Sequence, residues 1–179
     1  WRAGPGAALF EALGAQLGAL PIIAEDLGVI TSDVDALRRQ FELPGMCVLQ
    51  FAFDGNAANR YLPHHYERAS VVYSGTHDND TTAGWWAQAD DRAKQFARAY
   101  FGTDGHDMPW TLIRAAMASV ADTCIFPLQD VLTLPTECRM NHPGQADGWW
   151  TWRFEWGQVQ PWHAQRLREF AGLYSRAGG

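Results

Sequence analysis

The sequence predicts an α/β fold made of parallel β/α units, and three observations carry that reading. Short apolar runs, of the kind needed by a sheet covered on both faces, alternate with segments whose apolar residues recur at helical spacing. Their order is one helix followed by four rounds of strand, loop and helix, the pattern of parallel strands joined by crossovers. The chain has 179 residues, 47% of them hydrophobic, enough for one domain with a sizeable core. Four such units, with their four parallel strands and intervening helices, make half of an eight-stranded barrel. A half barrel alone would leave two open sheet edges and an exposed inner face. The pattern therefore predicts completion by a missing N-terminal half, association of two chains, or a piece that folds poorly by itself.

Each element has its own signal. Ala7–Leu17 sets Leu9, Leu13 and Leu17 on one helical face, and Gly18 closes it. Leu20–Ala24 reads as a short buried strand. Thr31 or Ser32 caps a second helix, whose first turn holds Asp33 and Asp35, favoured by the helix dipole, and whose apolar stripe is Val34, Leu37 and Phe41. Pro44-Gly45 ends it, and Met46–Phe53 is a near-continuous apolar strand. Asp54–Arg68 reads as loop, and Ala69–Gly75 as the next strand. Asp90–Phe101 is an amphipathic helix with Ala93, Phe96, Ala97 and Tyr100 on one side, and Gly102–Asp107 is a turn. Pro109 opens a helix through Val120 that buries Leu112, Ala116 and Val120. Thr123–Leu128 is the fourth strand, interrupted by Pro127, and after a loop rich in Gly and Trp the helix Trp162–Tyr174 turns Leu167, Phe170, Ala171 and Tyr174 inward.

Composition narrows the function. No apolar run approaches a membrane span, and no basic region followed by an apolar segment suggests a signal peptide. The start at Trp1-Arg2, without Met, reads as mid-domain, so the chain is taken as a piece of something longer. Net charge is -6 and Lys94 is the one lysine, which argues against a nucleic-acid groove. Cys47, Cys124 and Cys138 lack CxxC spacing and fit buried thiols in a reducing cytoplasm. Nine tryptophans stand out, four of them between Trp149 and Trp156. Core packing is the default reading for any one of them, but such rings also suit the apolar faces of sugars.

Chemistry concentrates at two strand ends, Pro21–Gly28 (PIIAEDLG) and Ser74–Thr82 (SGTHDNDTT). Each apolar run breaks abruptly into charge: Glu25 and Asp26 in the first, His77, Asp78 and Asp80 in the second. The carboxyl ends of parallel strands are where barrel enzymes place their chemistry. A partly desolvated carboxyl there can donate a proton near neutrality; the alternative reading makes Glu25 a salt-bridge partner and Asp26 a turn cap. Residues Thr76–Asp80 can hydrogen-bond a polyol, bind a metal or build a tight turn. A calcium loop lacks its glycine and distant glutamate, whereas a His-Asp pair suits vicinal hydroxyls. His64-His65 reads as loop, since adjacent side chains diverge and nothing acidic completes a metal shell. No metal and no cofactor is expected.

PIIAEDLGVIT, LPGMCVLQFAF, the loop His64–Tyr66, VVYSGTHDNDTTAGWW, FPLQDVL and RMNHPG stand here in the order found in amylomaltases. The chain thus resembles, over nearly its whole length, the 4-α-glucanotransferases of glycoside hydrolase family seventy-seven, in the α-amylase clan. The resemblance implies the C-terminal half of a (β/α)8 TIM barrel, strands five to eight, as a single partial catalytic domain. It implies general acid/base work for Glu25, transition-state stabilisation for Asp78, and sugar hydroxyl binding for His77. Asp26, Phe51, Asp54 and, more weakly, Asn141 fall where the family lines its sugar subsites. The family's nucleophile is an aspartate in an Arg-x-Asp-His motif on the preceding strand; here Arg60 is followed by Tyr61, and no aspartate precedes Glu25. The implied partners are α-1,4-glucans and an absent half barrel or second copy, with neither nucleic acid nor membrane.

The implied reaction is retaining transglycosylation, in which an aspartate attacks the anomeric carbon and a sugar hydroxyl opens the glycosyl-enzyme. Phe51, Trp85 or Trp86 could hold an acceptor sugar and shield the intermediate. Three readings compete: a transferase completed by the missing half, an inactive α-glucan-binding fragment, and an oligomerisation or scaffold piece. The last leaves the carboxylate motifs unexplained.

Overall fold

The computed structural model describes residues 4–19 and 21–177. Helix α1 (Ala7–Leu17) forms where its periodicity places it, but no residue in it is buried. Leu9 and Leu17 keep 46% and 64% of their surface and Leu13 is half-buried, so the predicted apolar face is largely open among the described residues. Phe10 packs on Phe41, ring centroids 5.0 Å apart.

The first predicted strand does not form. Leu20 lies outside the described residues, and 21–24 is extended but belongs to no sheet, with Ile23 46% exposed. Its link to the next segment is one backbone bond, from Ala24 N–H to the Pro44 carbonyl at 2.9 Å. Pro21 has no N–H to offer a ladder. The Met46 N–H on the facing edge donates to the Asp26 carboxylate at 2.7 Å, so a side chain occupies a place a strand carbonyl would take. The sheet therefore has three strands instead of the four expected.

Helix α2 (Ser32–Gln40) carries Asp33 and Asp35 in its first turn and Arg38 and Arg39 in its last, both matched to the dipole. Strand β1 (Gly45–Val48) is shorter than its apolar run, because Leu49–Phe51 winds into a 3-10 turn. Leu49, Ala52 and Phe53 are apolar for the sake of the core beneath the sheet, not for a longer strand. Strand β2 (Ser70–Tyr73) pairs parallel to β1, Gly45 opposite Ser70 and Val48 opposite Tyr73.

Helix α3 (Thr82–Gln88) was not evident from periodicity; its TAGWWAQ sequence is rich in poor helix formers. Capping and packing make it. The Thr81 hydroxyl accepts the Gly84 N–H at 3.0 Å, and Trp85 lies 5.9 Å from Phe53, ring to ring. Helix α4 (Asp91–Phe101) begins as predicted, with the Asp90 carboxylate accepting the Ala93 N–H at 2.7 Å, and ends at Gly102 in the left-handed region. Helix α5 (Met108–Ala118) buries Met108, Trp110, Leu112, Ile113 and Ala116. Val120 lies past its end and is 56% exposed, contrary to the predicted stripe.

Strand β3 (Thr123–Ile125) pairs parallel to β2, and Pro127, lacking an N–H, ends it and opens the short helix α6 (Leu128–Val131). Helix α7 (Pro161–Leu173) sets Leu167 and Phe170 against Trp110 and Ile113. The sheet order is β1-β2-β3, all parallel. Its pleat separates two faces. Cys47, Val72 and Cys124 point into the helix-covered core, whereas Met46, Tyr73 and Ile125 line an open cleft.

Candidate functional site

Where β1, β2 and β3 end, the cleft holds about 950 Å³. Glu25, Phe51, Tyr61, His77, Asp78, Arg139, Met140 and Trp150 stand on its walls. Two motifs about fifty residues apart in sequence thus face one space.

The His77–Asp78 loop owes its shape to short-range polar chemistry. Asn79 Oδ1 accepts the Thr76 N–H and hydroxyl, each at 2.9 Å, and the Asn79 N–H returns to the Thr76 carbonyl at 3.2 Å. This closed turn leaves His77 and Asp78 projecting. Gly75 at its base leaves room for Gln50: a Cβ there would sit 2.5 Å from the Gln50 amide nitrogen and push that side chain out of place. Gln50 in turn donates to the Asp80 carbonyl at 2.9 Å.

Residues 139–150 cover the loop from the other side. Asn141 Nδ2 donates to Asp78 Oδ1 at 2.6 Å, and the Asn141 N–H to the His77 carbonyl at 3.1 Å. Arg139 donates to the Asp78 carbonyl and, through Nε, to the Asn141 carbonyl, both at 2.6 Å. The His77 ring lies 3.5 Å from Asp78 Oδ1 and 5.1 Å from the Trp150 ring centroid. Trp150 itself is 61% exposed, an open flat face beside His77.

The predicted residues divide by position. Glu25, Phe51, His77 and Asp78 line the cleft. Asn141 reaches it by its bond to Asp78. Asp26 turns away from it: only 5% exposed, it accepts from Met46 N–H and Arg60 and lies 3.5 Å from Arg38 Nε. Asp54 is exposed and accepts the Asn56 N–H at 2.8 Å, capping its own turn. Neither Asp26 nor Asp54 is among the cleft-lining side chains. For Asp26 the physical cause is alternation, since a residue next to Glu25 in extended chain faces the opposite way; Asp54 is held by its own turn. Trp85 and Trp86 pack against the core below the sheet instead of lining the cleft.

Asp80 lines the cleft, yet its oxygens are occupied by the Thr81 N–H, the Thr136 hydroxyl and the Gln88 amide. Asp130 was missed by sequence reasoning and lies below the loop, 1% exposed. It accepts the Ser74 hydroxyl at 2.5 Å, and the Thr82 N–H and hydroxyl at 2.7 Å each. Burial pushes its pKa up, against these bonds, which favour the ionised form. Arg139 and Trp150 were missed too, although Arg139 opens RMNHPG and Trp150 stands in the Trp-rich segment. Among the described residues no group of His, Cys, Asp and Glu could hold a metal ion.

Comparison with known proteins gives this arrangement a context. The family described as 4-alpha-glucanotransferase (Glyco_hydro_77) matches residues 1–159. The 4-alpha-glucanotransferase of Thermus thermophilus is 47% identical over 184 residues, covering 98% of this chain and 37% of that protein. The chloroplastic/amyloplastic 4-alpha-glucanotransferase DPE1 of Arabidopsis thaliana is 47% identical, with 98% and 31% covered. Among solved structures, the amylomaltase from Streptococcus agalactiae in complex with acarbose superposes with a TM-score of 0.94 at 33% identity, over 98% of this chain and 36% of that one. The chain thus spans about a third of the length of these relatives. Similarity across the whole of its two carboxylate motifs and their scaffold leads to one conclusion: this chain belongs to the 4-alpha-glucanotransferase family.

Proposed function

We propose that the protein containing this chain is a 4-α-glucanotransferase, moving α-1,4-glucan segments onto acceptor glucans by retaining double displacement, and that Glu25 and Asp78 are two of its three working carboxylates. The observation that carries this is their convergence on one cleft beside exposed aromatic rings. Glu25 protonates the leaving glycosidic oxygen and then takes the proton of the incoming hydroxyl. Asp78 grips sugar hydroxyls as positive charge grows at the anomeric centre, an interaction worth most in the transition state. His77 and Asn141 fix its orientation and add hydrogen bonds, while Trp150 and Phe51 offer flat faces to the sugar rings.

The nucleophile comes from outside these residues. Of the cleft carboxylates besides Glu25 and Asp78, Asp80 has both oxygens engaged by neighbours. We assign the missing aspartate to an N-terminal half barrel that pairs with this partial catalytic domain, completing a TIM-type barrel. That half would cover the open cleft face and the bare stripe of α1. Cys47, Cys124 and Cys138 are free, in keeping with a cytoplasmic protein.

Incubated with maltotriose, the protein containing this chain is expected to release glucose and build longer maltodextrins. Glu25→Gln should abolish both. Full transfer by that variant would overturn the assignment. The isolated 179 residues should bind a maltooligosaccharide without turning it over, which titration calorimetry reads directly.

A further inference from the structure

We infer that Asp130 is a positioning residue for Asp78, holding the sugar-binding loop by both of its ends. Its carboxylate is among the most deeply buried polar groups of the molecule, at 1% exposure. No Lys, Arg or His among the described residues pairs with it as an ion. Its three donors come from the two residues that bracket loop 75–81. Ser74, the last residue before the loop, donates its hydroxyl to Oδ2; Thr82, the first residue of α3, donates its hydroxyl to the same oxygen and its N–H to Oδ1.

One rigid planar group therefore fixes the gap between the end of β2 and the start of α3. The loop spanning that gap carries His77 and Asp78. Asp130 is itself placed by rigid neighbours: Pro127 opens α6, and the Asp130 N–H returns to the Pro127 carbonyl at 3.0 Å. Gln50 completes the base, 3.4 Å from the Thr82 hydroxyl and bonded to the Asp80 carbonyl. Arg139 and Asn141 then hold Asp78 from above. Capping of α3 alone would need only the bond to the Thr82 N–H. The hydroxyl of Ser74 adds nothing to a helix cap, but it does close the loop's other end.

The proposal rests on the reading of Asp78 as the transition-state stabiliser, and its test separates the two. Asp130→Asn keeps shape and burial. In the protein containing this chain it is expected to lower kcat for maltotriose disproportionation about 10–100-fold with KM little changed, as misplaced supporting groups do. Combined with Asp78→Asn, it should add no further loss beyond Asp78→Asn alone, because both act through one group. Ser74→Ala and Thr82→Val remove single hydroxyls and should each give a smaller loss in kcat at near-unchanged thermal midpoint, which keeps the test usable if Asp130→Asn does not fold. Wild-type kcat in these variants, or losses that multiply fully with that of Asp78→Asn, would overturn the positioning role. Full activity of Asp78→Asn would overturn the underlying reading instead.

Discussion

Single residues do their work here through partners that distance along the chain conceals. Asn141 is the clearest case, its amide 2.6 Å from a carboxylate oxygen of Asp78. Asn141→Ala is expected to lower kcat in glucan transfer about tenfold, the effect typical of a lost supporting bond, with the fold intact by circular dichroism. Cys47 illustrates the reverse, a reactive group kept inert. Burial pushes its thiol up to about 11 from an ordinary 9.0. At pH 8 the native protein should therefore alkylate at Cys47 about 100-fold more slowly than a free cysteine, since the thiolate is the nucleophile. Iodoacetamide labelling followed by peptide mass analysis checks this. Asp130 has its own pH signature. Its folded pKa is raised above 3.8, so the folded state holds this proton more tightly than the unfolded state. The stability it contributes is present below 3.8 and lost as pH rises through the raised value. In urea unfolding across that window, Asp130→Asn should gain stability relative to wild type as pH increases.

At the scale of elements, capping decides more than periodicity. Helix α4 announces itself by Asp90 and ends at Gly102, so its limits were legible. Asp90→Ala should cost about 1 kcal/mol of unfolding free energy, the usual worth of such a cap, and leave transfer unchanged. Helix α3 gave no such notice: TAGWWAQ has neither a clean apolar stripe nor good formers, and its cap is the buried Thr81. The shortening of β1 has a similar cause. A continuous apolar run fits a strand or a buried turn equally, and here Leu49–Phe51 turns so that Gln50 can reach beneath the loop.

For the molecule as a whole, exposure is uneven in a telling way. Leu9 and Leu17 on α1, Ile125 on β3 and Leu173 on α7 remain between 42% and 64% exposed, while the core between sheet and helices is closed. Large apolar side chains left this open favour association. Alone at micromolar concentration, the 179-residue chain is expected to bind an apolar dye such as anilinonaphthalene sulfonate and to sediment above monomer mass. A monomer that binds no dye would refute that expectation. No helix among the described residues is long and apolar enough to cross a membrane.

The sequence by itself determined the parallel α/β character and the two acidic strand ends, because burial on both faces and abrupt polarity changes are written in local composition. It also carried the family, through motifs whose order survives in the chain. Only the tertiary structure decided which side of the chain each carboxylate faces. It turned Glu25 and Asp78 toward one cleft and Asp26 into an ion pair with Arg60. It also reduced four expected strands to three, because the Asp26 side chain takes the Met46 N–H. Contacts between residues twenty to sixty positions apart settle such choices, and no local pattern encodes them.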